Sequence, residues 1–368
     1  MGILQNKIDF VAFVSATMAN PNGDPLNGNS PRTDYNGLGE MSDVCIKRKL
    51  RNRMQDLGQA VFVQSADRCD DGCGSLSDRA SAVLGKAKEF KDSEDYAQKA
   101  CETWLDVRSF GQVFAFKDTK GMSIGVRGPV SVHQGVSVSP VQIEDMQITK
   151  SVNGESNDKG RSSDTMGMKH FVRFGLYKIK GSINVQLAEK TGFTEKDADI
   201  LKECLRTLFV NDASSARPEG SMEVVRLYWF HHNCKDGQYS SAKVHRSVQA
   251  ELIASDAIPA CAEDYKITLE PLAGLGFKEE DYLQLSGLQH FVFCRRQWAL
   301  IHIEGQWAEN YRTVDGHLMH ERVHDQEFRE SRGDCLTVRG LAIHSTELGV
   351  SGQCDAVEFR RAPAGIAL

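Results

Sequence analysis

Residues 22–54 read NGDPLNGNSPRTDYNGLGEMSDVCIKRKLRNRM and join a turn-rich loop to an amphipathic helix. The loop contains four glycines and two prolines. Ser42 is placed to cap the helix, and Asp43 in the first turn complements the helix dipole. At 3.6 residues per turn, one stripe of the helix is apolar and predicts packing against a core. Its members are Ile46, Leu50, Met54 and Leu57.

A neighbouring face of the same helix is basic and carries Lys47, Arg48 and Arg51. One interpretation is a solvated face, since basic runs in helices usually contact water. The other is an anion site, because Asn22 and Gly23 in the preceding loop permit backbone conformations that expose N–H donors. Loop and helix together suggest a site for a nucleic-acid backbone.

The composition of the whole chain limits these interpretations. A length of 368 residues predicts two domains, and 26% charged with 40% hydrophobic residues is typical of a soluble globular protein. The net charge of -6 argues against a uniformly basic nucleic-acid binder, so any such site must be local.

Targeting signals and cysteine usage predict the compartment. The sequence has no secretory leader and no apolar run long enough to span a bilayer. Its ten cysteines are mostly isolated, and Cys69 and Cys73 have no obvious second pair of metal ligands. We therefore expect a cytoplasmic protein with reduced thiols, no membrane association and no cofactor.

Hydrophobic periodicity predicts an α+β fold. The predicted elements are a strand at 8–18, the opening helix, strands at 140–149 and 171–187, a helix from Thr194 and a strand at 222–232. Asp197 completes a capping box with Thr194. This order is the split βαβ, ferredoxin-like plan, which is also the platform of the RNA-recognition fold.

Three further segments complete the domain prediction. Residues 58–103 form an insertion with a charged helical stretch near 82–100, and the polar segment 150–169 joins two strands as a projecting arm. A proline and a glycine-rich run near 271–276 separate residues 1–276 from a second segment, 277–368.

Several stretches of the first segment are specific enough to indicate a family. They are NPNGDP at 20–25, SDV at 42–44 with KRK at 47–49, DVRSFG at 106–111, RGPV at 127–130 and SSARPEG at 214–220. On these residues, 1–270 resemble the backbone subunit of type I-C CRISPR interference (Cascade) complexes, the Cas7 family of the RAMP superfamily. The resemblance implies an RNA-recognition-type palm, with 58–103 as a finger-like insertion and 150–169 as a thumb.

The resemblance also implies partners. Copies of the subunit would assemble along a guide CRISPR RNA with the other subunits of the type I-C complex and present the guide to target DNA. Each thumb would push between bases at a regular interval.

The residues themselves fit this chemistry. A guide must be held without regard to its sequence, so contacts should go to phosphates and sugars. Lys47, Arg48 and Arg51 suit that task. Met166 or Met168 would serve as the wedge, although a methionine packed in a loop explains them equally well.

Other charged residues are second-rank. Arg127 and Arg173 are further candidates for RNA contact. Type I members of the family bind without cutting, and Asp106 has no evident partner for acid–base chemistry. A structural or capping role is the favoured interpretation of that carboxylate, so no enzymatic activity is expected.

Residues 277–359 resemble the N-terminal half of the RecB-type CRISPR adaptation nuclease, the Cas4 family. The matching stretches are LSGL at 285–288, FCRRQW at 293–298, GHLMH at 316–320 and GQCD at 352–355. His320 and Asp355 match two of the family's metal ligands, and Cys294 matches one ligand of its iron–sulfur cluster. No Glu-x-Lys follows Asp355, and the other three cluster cysteines have no counterpart.

Two ligands hold a hard cation weakly, and one thiolate cannot hold a four-cysteine cluster. The expectation is therefore an incomplete, RecB-nuclease-like α/β segment without activity, metal or cluster. The alternative function is a metal-dependent DNA exonuclease in spacer acquisition, carried by this segment. A joined pair of neighbouring reading frames is a third explanation.

Overall fold

The computed structural model describes residues 2–69, 71–85, 90–115, 124–149, 166–254 and 257–275 in full, and the strand backbone at 283–284, 329–332, 335–345, 350–362 and 365–367. Two compact units result, Met1–Gly276 and Phe277–Leu368. The described helices are α1 (Asp43–Asp56), α2 (Leu76–Leu84), α3 (Ser93–Thr103), α4 (Leu105–Phe110), α5 (Val185–Thr191), α6 (Glu195–Arg206) and α7 (Ser241–Ser247).

Strands account for most of the remaining regular structure. In the first unit they are β1 (Ile8–Ala19), β2 (Gly23–Asp24), β3 (Ser30–Pro31), β4 (Leu38–Met41), β5 (Gly111–Phe114), β6 (Ile124–Arg127), β7 (Val130–Val132), β8 (Gly135–Pro140), β9 (Ile143–Thr149), β10 (Met166–Ile183), β11 (Met222–His231), β12 (Val248–Leu252) and β13 (Tyr265–Leu269). In the second unit they are β14 (Leu283–Gln284), β15 (Arg329–Arg332), β16 (Cys335–Ser345), β17 (Val350–Ala362) and β18 (Gly365–Ala367).

A seven-stranded antiparallel sheet organises the first unit. Its path is β11-β1-β10-β8-β4, and β7 and β9 also pair with β10. The last core strand therefore lies beside the first, and β10 separates the first strand from β7 and β8. Strand β1 leads into α1, and β10 leads through α5 and α6 into β11, which is the split βαβ order predicted from the sequence.

Helices α1 and α6 pack on one face of this sheet because alternate residues of β1 point toward them. Phe10 belongs to that set and stacks on Trp229 of β11 with ring centroids 5.5 Å apart. Ile46, Leu50 and Met54 of the predicted apolar stripe are buried in the same cluster, and Leu57 packs against it half-buried. Leu201 and Leu205 of α6 are buried there too. Ser42 caps α1, with its side chain accepting from the Cys45 N–H at 3.3 Å.

The capping box at the start of α6 is present as predicted. Asp197 also accepts two hydrogen bonds from Arg108 of α4, at 2.8 and 3.0 Å. The Arg108–Asp197 pair joins residues far apart in the sequence, and local sequence patterns therefore did not reveal it.

The insertion and the segment that follows it each differ from the prediction. The expected helical stretch near 82–100 consists of two helices, α2 and α3, and α2 ends at Gly85 with a positive φ of 84°. Residues 106–110 belong to α4, whereas the sequence at 106–115 predicts a loop that leads into a strand. A separate aromatic cluster around Phe62, Trp104 and Phe114 holds these helices and includes residues beyond 103.

Strand β10 belongs both to the sheet and to a hairpin that extends past it. It pairs with β1 as far as Val172, and its first residues pair with β9 alone from Met166 opposite Thr149. The predicted hairpin is therefore present, with β10 beginning earlier than expected and α5 replacing the end of the predicted strand. Residues 150–165 of the predicted thumb lie outside the described residues.

The second unit is described only as strand backbone. Strands β16 and β17 pair antiparallel and cover the strands predicted near 336–343 and 349–359. Asp355 lies in β17, whereas His320 and Cys294 fall outside the described residues. The helices that the sequence predicts at 285–303 and from about 310 to 328 fall outside them as well. None of the helices described in either unit is long and apolar enough to cross a membrane.

Candidate nucleic-acid interface

A groove of about 360 Å³ lies at the foot of the β9–β10 hairpin. Four segments line it: the end of β1, the turn before β3, the hairpin itself and a loop between α6 and β11. The lining residues are Met18, Asn20, Gly28, Asn29, Met146, Met168, Lys169, His170, Phe171, Ser215, Ala216 and Pro218.

Backbone contacts hold these segments together. The Asn20 side chain donates to the Asn29 carbonyl at 2.7 Å, and the Asn20 backbone N–H donates to the Ala216 carbonyl at 2.8 Å. Met18 and Asn29 both have positive φ angles, 50° and 62°, which L-residues adopt only when the surroundings enforce it. The groove floor is thus a built feature of the end of β1.

The hairpin brings a cation and a histidine to the groove. The Lys169 ammonium donates to the Ser215 carbonyl at 3.3 Å and has no carboxylate partner among the residues that the structure describes. His170 Nδ1 lies 2.6 Å from an Asp145 carboxylate oxygen on the paired strand. The Lys169 ammonium can therefore give up its neutral carbonyl partner and bind an anion instead.

Exposed apolar side chains extend along the same hairpin. Met166 and Met168 are 67% and 53% exposed, and Met146 and Ile148 on β9 are also exposed. Met166 and Met168 are two residues apart in a strand, so they share one face. Their exposure contradicts the interpretation of methionines packed in a loop, and it gives the hairpin the apolar surface that a wedge requires.

The cations predicted on α1 are occupied within the protein. Arg51 Nε donates to an Asp106 oxygen at 2.8 Å, and its guanidinium lies over the Phe110 ring. Arg48 donates to the Val63 carbonyl at 3.0 Å. Burial lowers the pKa of Arg48, and the neighbouring Arg51 charge adds to the shift. Through their hydrogen bonds, these two arginines join α1 to the insertion.

Lys47 also has a partner within the protein, although its side chain is more exposed than that of Arg51. Its ammonium lies 2.9 Å from Asp43 one turn earlier, and the hydrogen bond from Lys47 lowers the pKa of Asp43. Lys47, Arg48 and Arg51 thus all have partners within the protein, and their contact with RNA stays a prediction. The buried Asp106 carboxylate would be costly to leave unpaired, and Arg51 satisfies it.

Asp106 has the partners that the sequence did not reveal. It is buried, and it accepts from the Phe62 and Val63 N–H groups at 2.7 and 3.1 Å as well as from Arg51. The structural interpretation of this carboxylate is the one that its contacts support.

The predicted loop residues brace the start of α1. The Asn22 carboxamide oxygen accepts from the Ser42 N–H at 2.8 Å. Gly23 lies in β2, where a Cβ atom would overlap the Asn29 side chain. Arg127 is exposed at the end of β6, and Arg173 is exposed with its Nε 3.9 Å from Glu144; neither lines the groove.

Sequence patterns missed Lys169, His170, Asn29 and Ser215 as groove residues. The one available signal was the MKHF stretch at 168–171, where a cation and a histidine follow the exposed methionines at the root of the predicted arm. Among the described residues, no group of three or more His, Cys, Asp or Glu side chains is placed to hold a metal ion.

A family model described as CRISPR-associated protein Cas7 matches residues 6–270. The chain belongs to the Cas7 family. The matched range contains every residue of the groove. Cas7 of Haloferax volcanii is 27% identical over 221 residues, which cover 55% of this chain and 64% of that protein. The chain thus matches somewhat less than two thirds of the length of this relative.

Two solved structures are similar in backbone only. A chain of a CRISPR RNA-guided surveillance complex in a pre-nicking state is 18% identical, with a TM-score of 0.42 over 68% of this chain and 84% of that one. A second surveillance-complex chain is 19% identical, with a TM-score of 0.38 over 68% and 77%.

Proposed function

We propose that this Cas7 family member binds a guide CRISPR RNA as a repeated backbone subunit of a type I interference complex. The observation that carries the proposal is the groove at the foot of the hairpin, where an available Lys169 lies beside exposed methionines. Family membership supports the same assignment independently.

The geometry suits recognition without sequence preference. Lys169 and His170 would contact phosphates or sugars, which are the same at every nucleotide. The exposed face of Met166 and Met168 would insert between bases, since apolar wedges unstack neighbouring bases at a cost of a few kcal/mol. Both groups lie on one strand that continues into the sheet core, so the palm fixes their orientation.

The proposal extends to the subtype of the complex and to the partners of this chain within it. The stretches at 20–25, 106–111 and 214–220 support assignment to the type I-C subtype. In that assembly, further copies of the chain and the other complex subunits would share the guide, and the complex would present it to target DNA.

RNA binding by the purified protein tests the assignment. We expect affinity that rises with RNA length, falls with salt and changes little with sequence. Lys169→Gln should weaken binding and reduce the salt dependence by about 0.7 in log–log slope for one lost phosphate contact. Lys235→Gln is the matched control, because Lys235 is an exposed lysine paired with Glu189 away from the groove.

The choice of residue matters for this test. Charge reversal at Lys47, Arg48 and Arg51 would break contacts inside the protein, so lost binding would report misfolding. Unchanged affinity and unchanged salt dependence in Lys169→Gln would contradict the assignment of the groove.

We also propose that the 277–368 unit is a RecB-nuclease-like segment without nuclease activity. The stretches at 293–298, 316–320 and 352–355 support the likeness, and residues 356–368 contain no Glu-x-Lys. Incubation of the full chain with linear DNA and Mn²⁺ should yield no cleavage. Cleavage that disappears in His320→Ala or Asp355→Ala would establish the exonuclease instead.

A further inference from the structure

The loop at 211–221 contacts the insertion, the hairpin and β1 of the first unit. Its Asn211 carbonyl accepts from Arg68 of the insertion at 2.7 Å, and its Ser215 carbonyl accepts from Lys169 of the hairpin at 3.3 Å. The Ser221 carbonyl accepts from the Thr17 N–H of β1 at 2.8 Å. This loop contains the SSARPEG stretch, and it forms one wall of the groove.

Asp212 is the ionic centre of the loop. Its side chain is 12% exposed and forms an ion pair with the ammonium of Lys49, a residue of α1 that is only 3% exposed. The same carboxylate oxygen accepts from Arg217 Nε at 3.0 Å. The Lys49 ammonium also lies over the Phe209 ring, 5.4 Å from its centroid. Two cations thus share one carboxylate, and the site retains a positive charge.

Arg217 is the accessible member of this cluster. Its side chain is 25% exposed and lines a small cleft with Asp212. Pro218 lines both this cleft and the groove, so the two adjoin at Arg217. Among the described residues, the structure gives its two Nη groups no partner. A guanidinium is a planar fork, so fixing Nε fixes the direction of both Nη groups. The free end has the geometry that binds two phosphate oxygens at once.

We propose that Asp212 is a positioning residue that fixes the Arg217 guanidinium at the rim of the groove, where its Nη groups bind a phosphate of the guide RNA. This inference rests on the proposed function and adds a phosphate contact to that site. Lys49 anchors the Asp212 carboxylate from the protein side, and the turn closed between Ser214 and Arg217 sets the backbone.

The effect of Asp212→Asn on RNA affinity separates positioning from plain electrostatics. If charge alone matters, the loss of an anion near the groove strengthens RNA binding. If Asp212 positions Arg217, the same substitution weakens binding, by about tenfold for an interaction of about 1.4 kcal/mol. Arg217→Gln should weaken binding to a similar extent, and the double variant should bind no more weakly than either single variant.

Two further variants keep the test independent of folding. Arg217→Lys leaves the Lys49–Asp212 pair intact and keeps the charge while removing the fork, so it should bind about tenfold more weakly with an unchanged melting temperature. Glu203→Gln removes one carboxylate from the exposed Glu203–Arg206 pair and should leave affinity unchanged.

The outcomes distinguish this inference from the proposed function. If the wild-type chain does not bind RNA, the proposed function fails. If the wild type binds RNA and Arg217→Lys binds equally well, or Asp212→Asn binds more tightly, the positioning role fails while the function stands.

Discussion

Asp106 shows how one buried carboxylate determines the role of distant cations. It lies in α4, accepts two backbone N–H groups from the start of the insertion, and pairs with Arg51 of α1. An arginine that satisfies a buried carboxylate is not free to bind an external phosphate without leaving that charge unpaired. The residue therefore fastens the insertion to the palm.

Substitution of Asp106 tests this fastening role. Asp106→Asn removes the charge opposite Arg51. It also places the asparagine amide N–H donors next to backbone N–H groups that need an acceptor. We therefore expect a loss of about 3 kcal/mol in the free energy of unfolding. Urea unfolding of the variant and of Glu203→Gln, an exposed ion-pair control, measures the difference. A loss below about 1 kcal/mol would show that the pair does not fasten the insertion.

His245 makes stability depend on pH. Its Nε2 donates to the Gly181 carbonyl at 2.9 Å, and Asp9 lies 3.8 Å away. Burial lowers the pKa of His245 below its ordinary 6.5, although the Gly181 bond and the Asp9 charge oppose the shift. The stability contribution is therefore fully present above pH 6.5 and is lost as the pH falls through the lower, folded-state value.

The variant His245→Gln isolates this contribution, because glutamine still donates to Gly181 and does not titrate. We expect the melting temperature of the wild type to fall more than that of the variant between pH 7.5 and 5. The charged and titratable neighbours Asp9, His133 and Lys180 remain in both proteins. Equal decreases in the two proteins would refute the assignment to His245.

At the scale of elements, β10 links the core to the proposed wedge. Its 18 residues span roughly 60 Å at 3.3 Å per residue. One end pairs with β7 and β1 in the buried sheet, and the other carries Met166 and Met168. Strand β10 is paired along its length, first with β9 from Met166 to Val172 and then with β1 from Val172 to Ile183, so the hairpin root keeps its direction relative to the palm.

The wedge predicts opposite effects on stability and binding. Met166 and Met168 are exposed, so replacing both with serine should leave the melting temperature unchanged. RNA affinity should fall about fivefold for an apolar insertion of about 1 kcal/mol. Replacing both with leucine should retain affinity, and Val113→Ser in β5 is the control for an exposed apolar residue elsewhere. Serine and leucine variants of equal affinity would exclude a wedge role.

Local patterns predicted the elements whose causes are local. The Ser42 cap, the Thr194–Asp197 capping box and the buried stripe of α1 each depend on residues within one or two turns. The interface depends on contacts between distant residues, as between Arg51 and Asp106 or between Lys169 and Ser215. Periodicity assigned charge to a helix face correctly but contained no information on the carboxylate that would neutralise it.

At the scale of the whole molecule, ion pairing explains how an acidic chain presents a basic site. The net charge is -6, and many described arginines are paired with carboxylates inside the fold, among them Arg79 and Arg108. The cations that stay available at the groove therefore determine its local potential. Binding should respond strongly to changes at Lys169 or Arg217 and weakly to changes in total charge.

Because the chain divides into two units, we expect the first unit to fold and to bind RNA without the second. The two hydrophobic clusters found among the described residues lie between Leu4 and Trp229, and the family match ends at 270. A chain cut after residue 276 should therefore unfold cooperatively with a melting temperature within a few degrees of that of the full chain. Its RNA affinity and salt dependence should equal those of the full chain, because every groove residue is retained. A truncated chain that folds but binds RNA weakly would place part of the interface in residues 277–368.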